Sequence, residues 1–278
     1  MAVLLDGKET SARVVEELKA EVEKLRARGV TPTLALILTG TDQFSVRYVG
    51  LKAKRAEEVG IVPQTHHLEK TTNEELVALI NRLNADPKVH GILVQLPLHE
   101  GLSELEAVEA IAPEKDVDGL SPITLGKILM GERCYLPAGA EAVMELLRRY
   151  SIDTEGRHWV ICGMSNIVGK PLAACLSNHK ARVTFLQKDD PRLAEYTRQG
   201  DIIVTELFAK HAVRAEMVKP GAVVVDFGNN YEGRKVYGDV DTEAVSKVAS
   251  AITPVPGGIG PLLITMLLKN SIAAASGA

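Results

Sequence analysis

The chain has 278 residues, enough for two domains of ordinary size, and 46% of them are hydrophobic, which is ample for buried cores. A net charge of −4 with 4% aromatic residues argues against a nucleic-acid partner, which calls for a basic excess and stacking side chains. Three cysteines, Cys134, Cys162 and Cys175, lack CxxC spacing; no disulfide framework or structural zinc site is expected, and a reducing cytoplasm fits. No run reaches membrane-spanning length and Met1–Asp6 shows no basic leader, so a soluble protein is expected.

In chain order, apolar residues at helical spacing (Val14, Leu18, Val22, Leu25) predict a helix over 10–28, closed by Gly29. Thr33–Leu38 reads as a buried parallel strand. A helix follows over 44–60, with Asp42 or Ser45 as its start and Gly60 as its left-handed end. Residues 61–68 read as a strand, Thr72 and Glu75 as a capping box opening a helix to Leu83, and 90–96 as another buried strand. Ser103 and Glu106 open a shorter helix. Strands alternating with helices imply a parallel sheet, with ligands beyond the carboxyl ends of its strands. Residues 121–150 read as two connecting helices broken at Pro137-Ala138-Gly139. A second α/β domain follows, with strands at 159–162, 183–186, 201–205 and 222–227 and a short one at Val236–Tyr237. The proline- and glycine-rich run 252–261 leads into an apolar helix from Leu262 to about Ala275, expected to pack on the first domain. The domain expectation is therefore 1–120 completed by 260–278, connecting helices 121–150, and 151–259.

Four stretches carry chemistry. Tyr48 and Lys52 are four apart on one helix face, so a phenol and an amine stand side by side; they form a proton-transfer pair if the amine is desolvated, and otherwise a half-buried anchor on a basic face. Gly163-Met164-Ser165 turns from strand to helix as a phosphate-binding turn does, although GxSxxxG is not GxGxxG. Beyond the next strand, Lys188 suits a 2′-phosphate while Asp189 or Asp190 suits a 2′-hydroxyl, so NADP and NAD both remain open. Asp116 and Asp118 are too few oxygens for a hard metal; they read as an acidic turn, or as a carboxylate able to accept two N–H bonds from a guanidine-like ring edge such as a pterin's. The histidines show no metal spacing, and no metal is expected. The run 254–261 reads as a rigid turn that can bring backbone groups close to a ligand, as a stiff corner between domains, or as both.

Together these segments resemble the bifunctional methylenetetrahydrofolate dehydrogenase/cyclohydrolase family. The matching motifs are Tyr48-Val49 with Lys52; Gly91 to Leu98 (GILVQLPL); Lys115 to Gly119 (KDVDG); Ser165 to Gly169 with Pro171; Lys219 to Ala222, then Asp226 and Gly228; Gly238-Asp239-Val240; and Ile252 to Gly258 (ITPVPGG). They run in one order across nearly the whole chain. The resemblance implies two α/β domains, an N-terminal parallel-sheet folate domain and a Rossmann-type NAD(P)-binding domain with a cleft between them, in a homodimer. It implies oxidation of methylenetetrahydrofolate to the methenyl cation, then hydrolysis to formyltetrahydrofolate. It makes Lys52 the main catalytic group, Tyr48 the residue that stacks on and positions folate, Gln95 the support of the lysine and Asp118 the pterin anchor. Val94, Leu96, Pro256, Gly257 and Gly258 would line the folate site, and Gly163, Met164, Ser165, Lys188 and Asn229 the NADP site, NAD being possible there too.

The sequence departs from the family pattern mainly on the cofactor side. Pro137 to Ala142 replaces Pro-Cys-Thr-Pro-x-Gly. Glu206-Leu207-Phe208-Ala209-Lys210 lacks the glycine and proline of its loop. Asn229 stands for isoleucine, and Leu263 for threonine. Two rival expectations follow: a cyclohydrolase with a degraded nucleotide site, which would hydrolyse methenyltetrahydrofolate without reducing NAD(P), and a non-catalytic folate- or nucleotide-binding regulator, which would bind without turnover.

Overall fold

Short runs of buried valine, isoleucine and leucine become the parallel strands of this chain, and capped amphipathic stretches become its helices. In the computed structural model, which describes residues 1–277, the elements begin with β1 (Val3–Leu4), α1 (Gly7–Ala27), β2 (Thr33–Thr39), α2 (Gln43–Val59), β3 (Val62–Leu68), α3 (Asn73–Ala85), β4 (Gly91–Val94) and α4 (Glu104–Glu109). They continue with α5 (Pro122–Met130), α6 (Ala138–Arg149), β5 (His158–Cys162), α7 (Gly169–Ser177), β6 (Arg182–Leu186), α8 (Leu193–Thr197) and β7 (Ile202–Thr205). The last are β8 (Val223–Asp226), β9 (Asn230–Glu232), β10 (Lys235–Tyr237), α9 (Thr242–Val245), β11 (Ala251–Ile252) and α10 (Gly260–Ser276). The chain divides into two units: Met1–Ala12, Ile128–Gly131 and Ala138–Leu263 form one; Arg13–Lys127, Glu132–Pro137 and the chain from Ile264 onward form the other.

The first unit is built on a six-stranded parallel sheet in the order β1-β11-β8-β7-β5-β6. The chain leaves β5 for β6 on one side and β7 on the other, so the strand order reverses at β5, which places a ligand crevice beyond the carboxyl ends of β5 and β7. Val160, Ile203, Val224 and Ile252 fill one core of this sheet. Beyond β8, the buried Asp226 carboxylate accepts from the N–H groups of Gly228 (2.7 Å), Asp239 (3.1 Å) and Val240 (2.9 Å) and from the Thr205 hydroxyl (3.2 Å). Burial pushes its pKa up to about 6. The Asp226-x-Gly228 and Gly238-Asp239-Val240 motifs are thus the two halves of one latch.

The second unit holds a three-stranded parallel sheet, β3-β2-β4, with β2 buried at every position. Leu76, Ile80 and Leu83 of α3 pack with Ile37, Ile92 and Val94. The Thr72–Glu75 capping box forms, and Lys115 Nζ donates to the carbonyls of Leu83, Asn84 and Asp86 (2.9, 2.8 and 2.7 Å), closing the other end of α3. Asn270 of α10 donates to the carbonyls of Val117 and Leu136, tying the last helix into this unit.

Most expected elements form within one or two residues of their predicted ends. Three strands carried no readable signal. β1 and β11 are two residues each and β9 is three, too short for any alternation to show. Because β1 pairs with β11, the first twelve residues lie in the first unit rather than with the helices that follow them. The latch makes a specific prediction. A Cβ at Gly238 would overlap Asp226 Oδ2, so Gly238→Ala lowers the thermal midpoint by several degrees, on the order of 2 kcal/mol for a strained, partly broken hydrogen-bond cluster, as a melting curve would show.

Candidate functional site

Helix α2 starts at Asp42, whose side chain accepts the Ser45 N–H at 2.8 Å, and ends at Gly60, where φ is 91°. Between these caps Val49, Ala56 and Val59 are buried and fix which face turns inward. Lys52 lies on that face and is only 8% exposed, while Tyr48, one turn earlier, is 38% exposed. Lys52 Nζ stands 4.9 Å from the centroid of the Tyr48 ring. It donates to Gln95 Oε1 at 3.0 Å. Gln95 is held in that orientation by its own Nε2, which donates to the Leu96 carbonyl at 2.6 Å, just past the end of β4. Burial lowers the Lys52 pKa, and the negative charge of Asp118 partly opposes that shift. Asp118 is raised by burial, with Lys52 pulling it back and Asp116 adding to the rise. Tyr48 is also raised, by burial first and by Asp118 second. The structure therefore brings Tyr48, Lys52, Gln95 and Asp118 into one electrostatic neighbourhood, with Val94 and Leu96 on either side of Gln95.

The acidic turn separates into parts with different work. Asp116 is 1% exposed. Its Oδ1 accepts from the N–H groups of Gly119 (3.1 Å) and Leu120 (3.3 Å), and its Oδ2 from Ser121 N–H (3.1 Å) and the Thr124 hydroxyl (2.6 Å). It anchors the start of α5. Val117 is fully buried and Lys115 closes α3. Asp118 alone is left to face the lysine. The hydrogen-bonded turn and the carboxylate that acts on Lys52, two readings that the sequence left open, thus belong to different residues, Asp116 and Asp118, two positions apart.

In the first unit, Gly163 follows β5 with φ 122°, and a Cβ there would stand 2.5 Å from the Glu206 carbonyl oxygen. Met164 and Ser165 are half-buried, and Ser165 Oγ accepts the N–H groups of Ile167 (3.2 Å) and Val168 (3.0 Å) just before α7. A cavity of about 410 Å³ is lined by Glu206, Phe208, Asp226, Asn229 and the 254–261 run among others. Asn229 is exposed at its edge, whereas Lys188 is an exposed residue beyond β6 and does not line it. Pro256 and Gly257 also line this cavity, and the Gly257 carbonyl accepts from the N–H groups of Gly7 (3.0 Å) and Lys8 (3.1 Å), fixing the run to the start of α1. Sequence reasoning recorded Glu206 only as a departure from a family pattern. Its signal was a carboxylate placed directly after the buried run Ile202–Thr205.

Comparison with known proteins gives a consistent picture. The family model for the tetrahydrofolate dehydrogenase/cyclohydrolase catalytic domain matches residues 5–118, and that for the NAD(P)-binding domain of the same family matches residues 137–278. The chain is 48% identical over 275 residues to the bifunctional protein FolD of Halalkalibacterium halodurans, covering 99% of each chain. Its fold superposes with a TM-score of 0.97 on the crystal structure of the bifunctional enzyme FolD, methylenetetrahydrofolate dehydrogenase/cyclohydrolase, from Campylobacter jejuni, at 46% identity over 100% of this chain and 99% of that one. A TM-score of 0.92 at 36% identity, covering 99% and 98%, relates it to the Trypanosoma brucei dehydrogenase-cyclohydrolase solved with NADP cofactor and inhibitor.

The division of labour between the two aspartates is testable by stability alone. Asp116→Ala strands four donors, three of them in buried hydrogen bonds, and should cost about 3 kcal/mol, a fall of roughly 5–10 °C in the thermal midpoint. Asp118→Ala should cost less than about 1 kcal/mol. Equal losses in the two melting curves would overturn the assignment.

Proposed function

The chain belongs to the tetrahydrofolate dehydrogenase/cyclohydrolase family, and from that premise we propose that it oxidises methylenetetrahydrofolate to methenyltetrahydrofolate with NADP and hydrolyses the product to formyltetrahydrofolate. The observation that carries this reading is the Lys52 amine: buried, hydrogen-bonded to a neutral amide and lowered in pKa.

The chemistry follows from charge. Hydride loss leaves a cation delocalised between two folate nitrogens. An ammonium beside that cation would be repelled, so the substrate charge lowers the Lys52 pKa further. The neutral amine takes a proton from the water that attacks the methenyl carbon. Gln95 fixes the amine's position without adding charge, and the Tyr48 ring offers a flat face against which folate is held. Asp118 accepts N–H groups from the pterin ring edge. Val94 and Leu96, on either side of Gln95, complete the folate contacts in this proposal.

The first unit fits a dinucleotide at its switch point: the turn at Gly163 leaves no room for a Cβ, and backbone N–H groups open α7. NADP, when bound, supplies the hydride acceptor. Gly163, Met164 and Ser165 would hold its phosphates, Lys188 its 2′-phosphate by charge, and Asn229 its nicotinamide side. A second copy of the chain is the expected partner on family grounds, and three free cysteines suit a reducing cytoplasm. Among the described residues no helix is long and apolar enough to cross a membrane.

Two measurements test the reading. Lys52→Met should reduce methenyltetrahydrofolate hydrolysis by roughly 10²–10⁴-fold while folate still binds; retained hydrolysis would remove Lys52 from the reaction. Wild-type hydrolysis should rise with pH as Lys52 loses its proton. Asp118 raises the lysine's pKa, so Asp118→Asn should move that ascending limb to lower pH at saturating substrate. A limb that stays in place, or moves upward, would separate Asp118 from Lys52.

A further inference from the structure

The Glu206 side chain, at the carboxyl end of β7, is 8% exposed, and its Oε2 has no hydrogen-bond partner. It meets the turn after β5 at close range: Glu206 N–H donates to the Cys162 carbonyl at 2.7 Å, and a Cβ on Gly163 would stand 2.9 Å from Glu206 Cβ. The groups that favour its charged form are the Ser165 hydroxyl and the backbone N–H groups of Ser165 and Gly169. These are donors at the start of the nine-residue helix α7, which has no side-chain cap of its own at Val168. A helix start with free N–H groups takes an anion. Here the chain places one of its own carboxyls there.

The carboxyl cannot easily withdraw. The N–H groups on either side of Phe208, those of Leu207 and Ala209, donate to Asp239 Oδ2 and Oδ1 at 2.6 and 2.9 Å. Between them Phe208 is held at φ 53°, a conformation that a bulky side chain adopts only when its surroundings impose it. The titratable groups around Glu206 are Asp239, Asp226 on the same cavity wall, and the buried Cys162 thiol, which is pushed up to about 12. Lys170, the cation at the start of α7, is turned to Asn166 Oδ1 at 2.7 Å. Among the described residues no cation pairs with Glu206.

We propose that Glu206 controls cofactor entry, its carboxyl engaging the same donors as a dinucleotide diphosphate, so that the cofactor binds to the form of the enzyme in which Glu206 is protonated. This rests on the dehydrogenase reading above and adds a condition to it. Two anions on one set of donors in a desolvated turn repel each other. A protonated carboxyl instead becomes a donor to a phosphate oxygen. Burial and the charge of Asp239 favour the protonated form, while the turn's own donors oppose it. The sign follows: binding takes up a proton, so affinity falls as pH rises above the Glu206 pKa of the free protein, by up to about tenfold per pH unit.

The test is titration calorimetry of the full chain with NADP and, separately, NAD, at several pH values between 6 and 8.5 and in two buffers of different ionisation heat, on wild type, Glu206→Gln and Glu206→Ala. The proposal expects wild type to take up close to one proton per cofactor and to weaken with rising pH. It expects Glu206→Gln, neutral at every pH, to bind tighter than wild type at pH 8, by up to about tenfold for each pH unit above the Glu206 pKa, and to lose that proton uptake. Subtracting the variant from wild type removes the titration of the NADP 2′-phosphate itself. Glu206→Ala should also bind tighter, which separates removal of the charge from any effect of the glutamine amide. Equal affinities and equal proton counts in wild type and variants would overturn the proposal while leaving NADP binding intact. No binding of either cofactor to any of the three proteins would overturn the dinucleotide reading, and the proposal with it.

Discussion

The second unit depends on keeping one amine out of water. A lysine on a solvated helix face stays protonated and cannot act as a base near neutral pH. Lys52 differs because α2 turns it inward, on the stripe that also buries Val49, Ala56 and Val59. The register of the helix decides this, and the caps at Asp42 and Gly60 hold its ends. The hydrogen-bond partner is equally constrained. A carboxylate at the position of Gln95 would draw the proton back onto the amine, whereas an amide accepts a hydrogen bond and leaves the lysine's pKa low. Gln95 follows β4 directly, so a central feature of the sheet and a central feature of the chemistry share one strand end.

The neighbouring carboxylates show how two residues of one type, two positions apart, come to do different things. Asp116 spends both oxygens on four donors of its own turn. Asp118, two residues on, acts electrostatically on Lys52. The pair Lys52–Asp118 is then balanced: burial disfavours the charge on each, and each favours the charge on the other. A small change in the surroundings, such as the arrival of a cationic substrate, shifts that balance strongly. This sensitivity is what a proton-transfer group requires.

Much of this was legible in the amino-acid sequence, and the parts that were not have physical reasons. The helical spacing of Tyr48 and Lys52 and the caps of α2 and α3 are local patterns, written within a few residues of one another. The pairing of Lys52 with Gln95 spans 43 positions and could be reached only through resemblance to a family. In the run Lys115 to Gly119, hydrogen-bond geometry was needed to separate the anchor from the site residue. The strands β1 and β11 were invisible because two residues carry no periodicity; their pairing is set by the sheet that receives them. Motifs at Asp226 and Gly238, matched as family signatures, act as a latch that supports the loop.

The residues least like the family pattern are the ones whose structure asks most for an explanation. Loop 206–210 contains no glycine or proline, yet it holds Phe208 in the left-handed region and accepts the strain. It does so because Asp239 clamps the peptide on each side, and Asp239 is placed by the latch on Asp226. A strained backbone position of this kind costs about 1–3 kcal/mol and persists when the surroundings over-determine it. The arrangement delivers a buried carboxyl to the one helix start in the first unit that lies at the sheet's switch point. A desolvated ionisable group whose charge is disfavoured by burial thus occurs in each unit. In the second unit the group is the Lys52 amine, whose charge burial disfavours. In the first it is a carboxyl whose charge opposes any anion seeking the same donors. In loop 206–210 this buried carboxyl, Glu206, stands at the carboxyl end of β7 beside the turn at Gly163, so its charge bears directly on any anion that turn would hold.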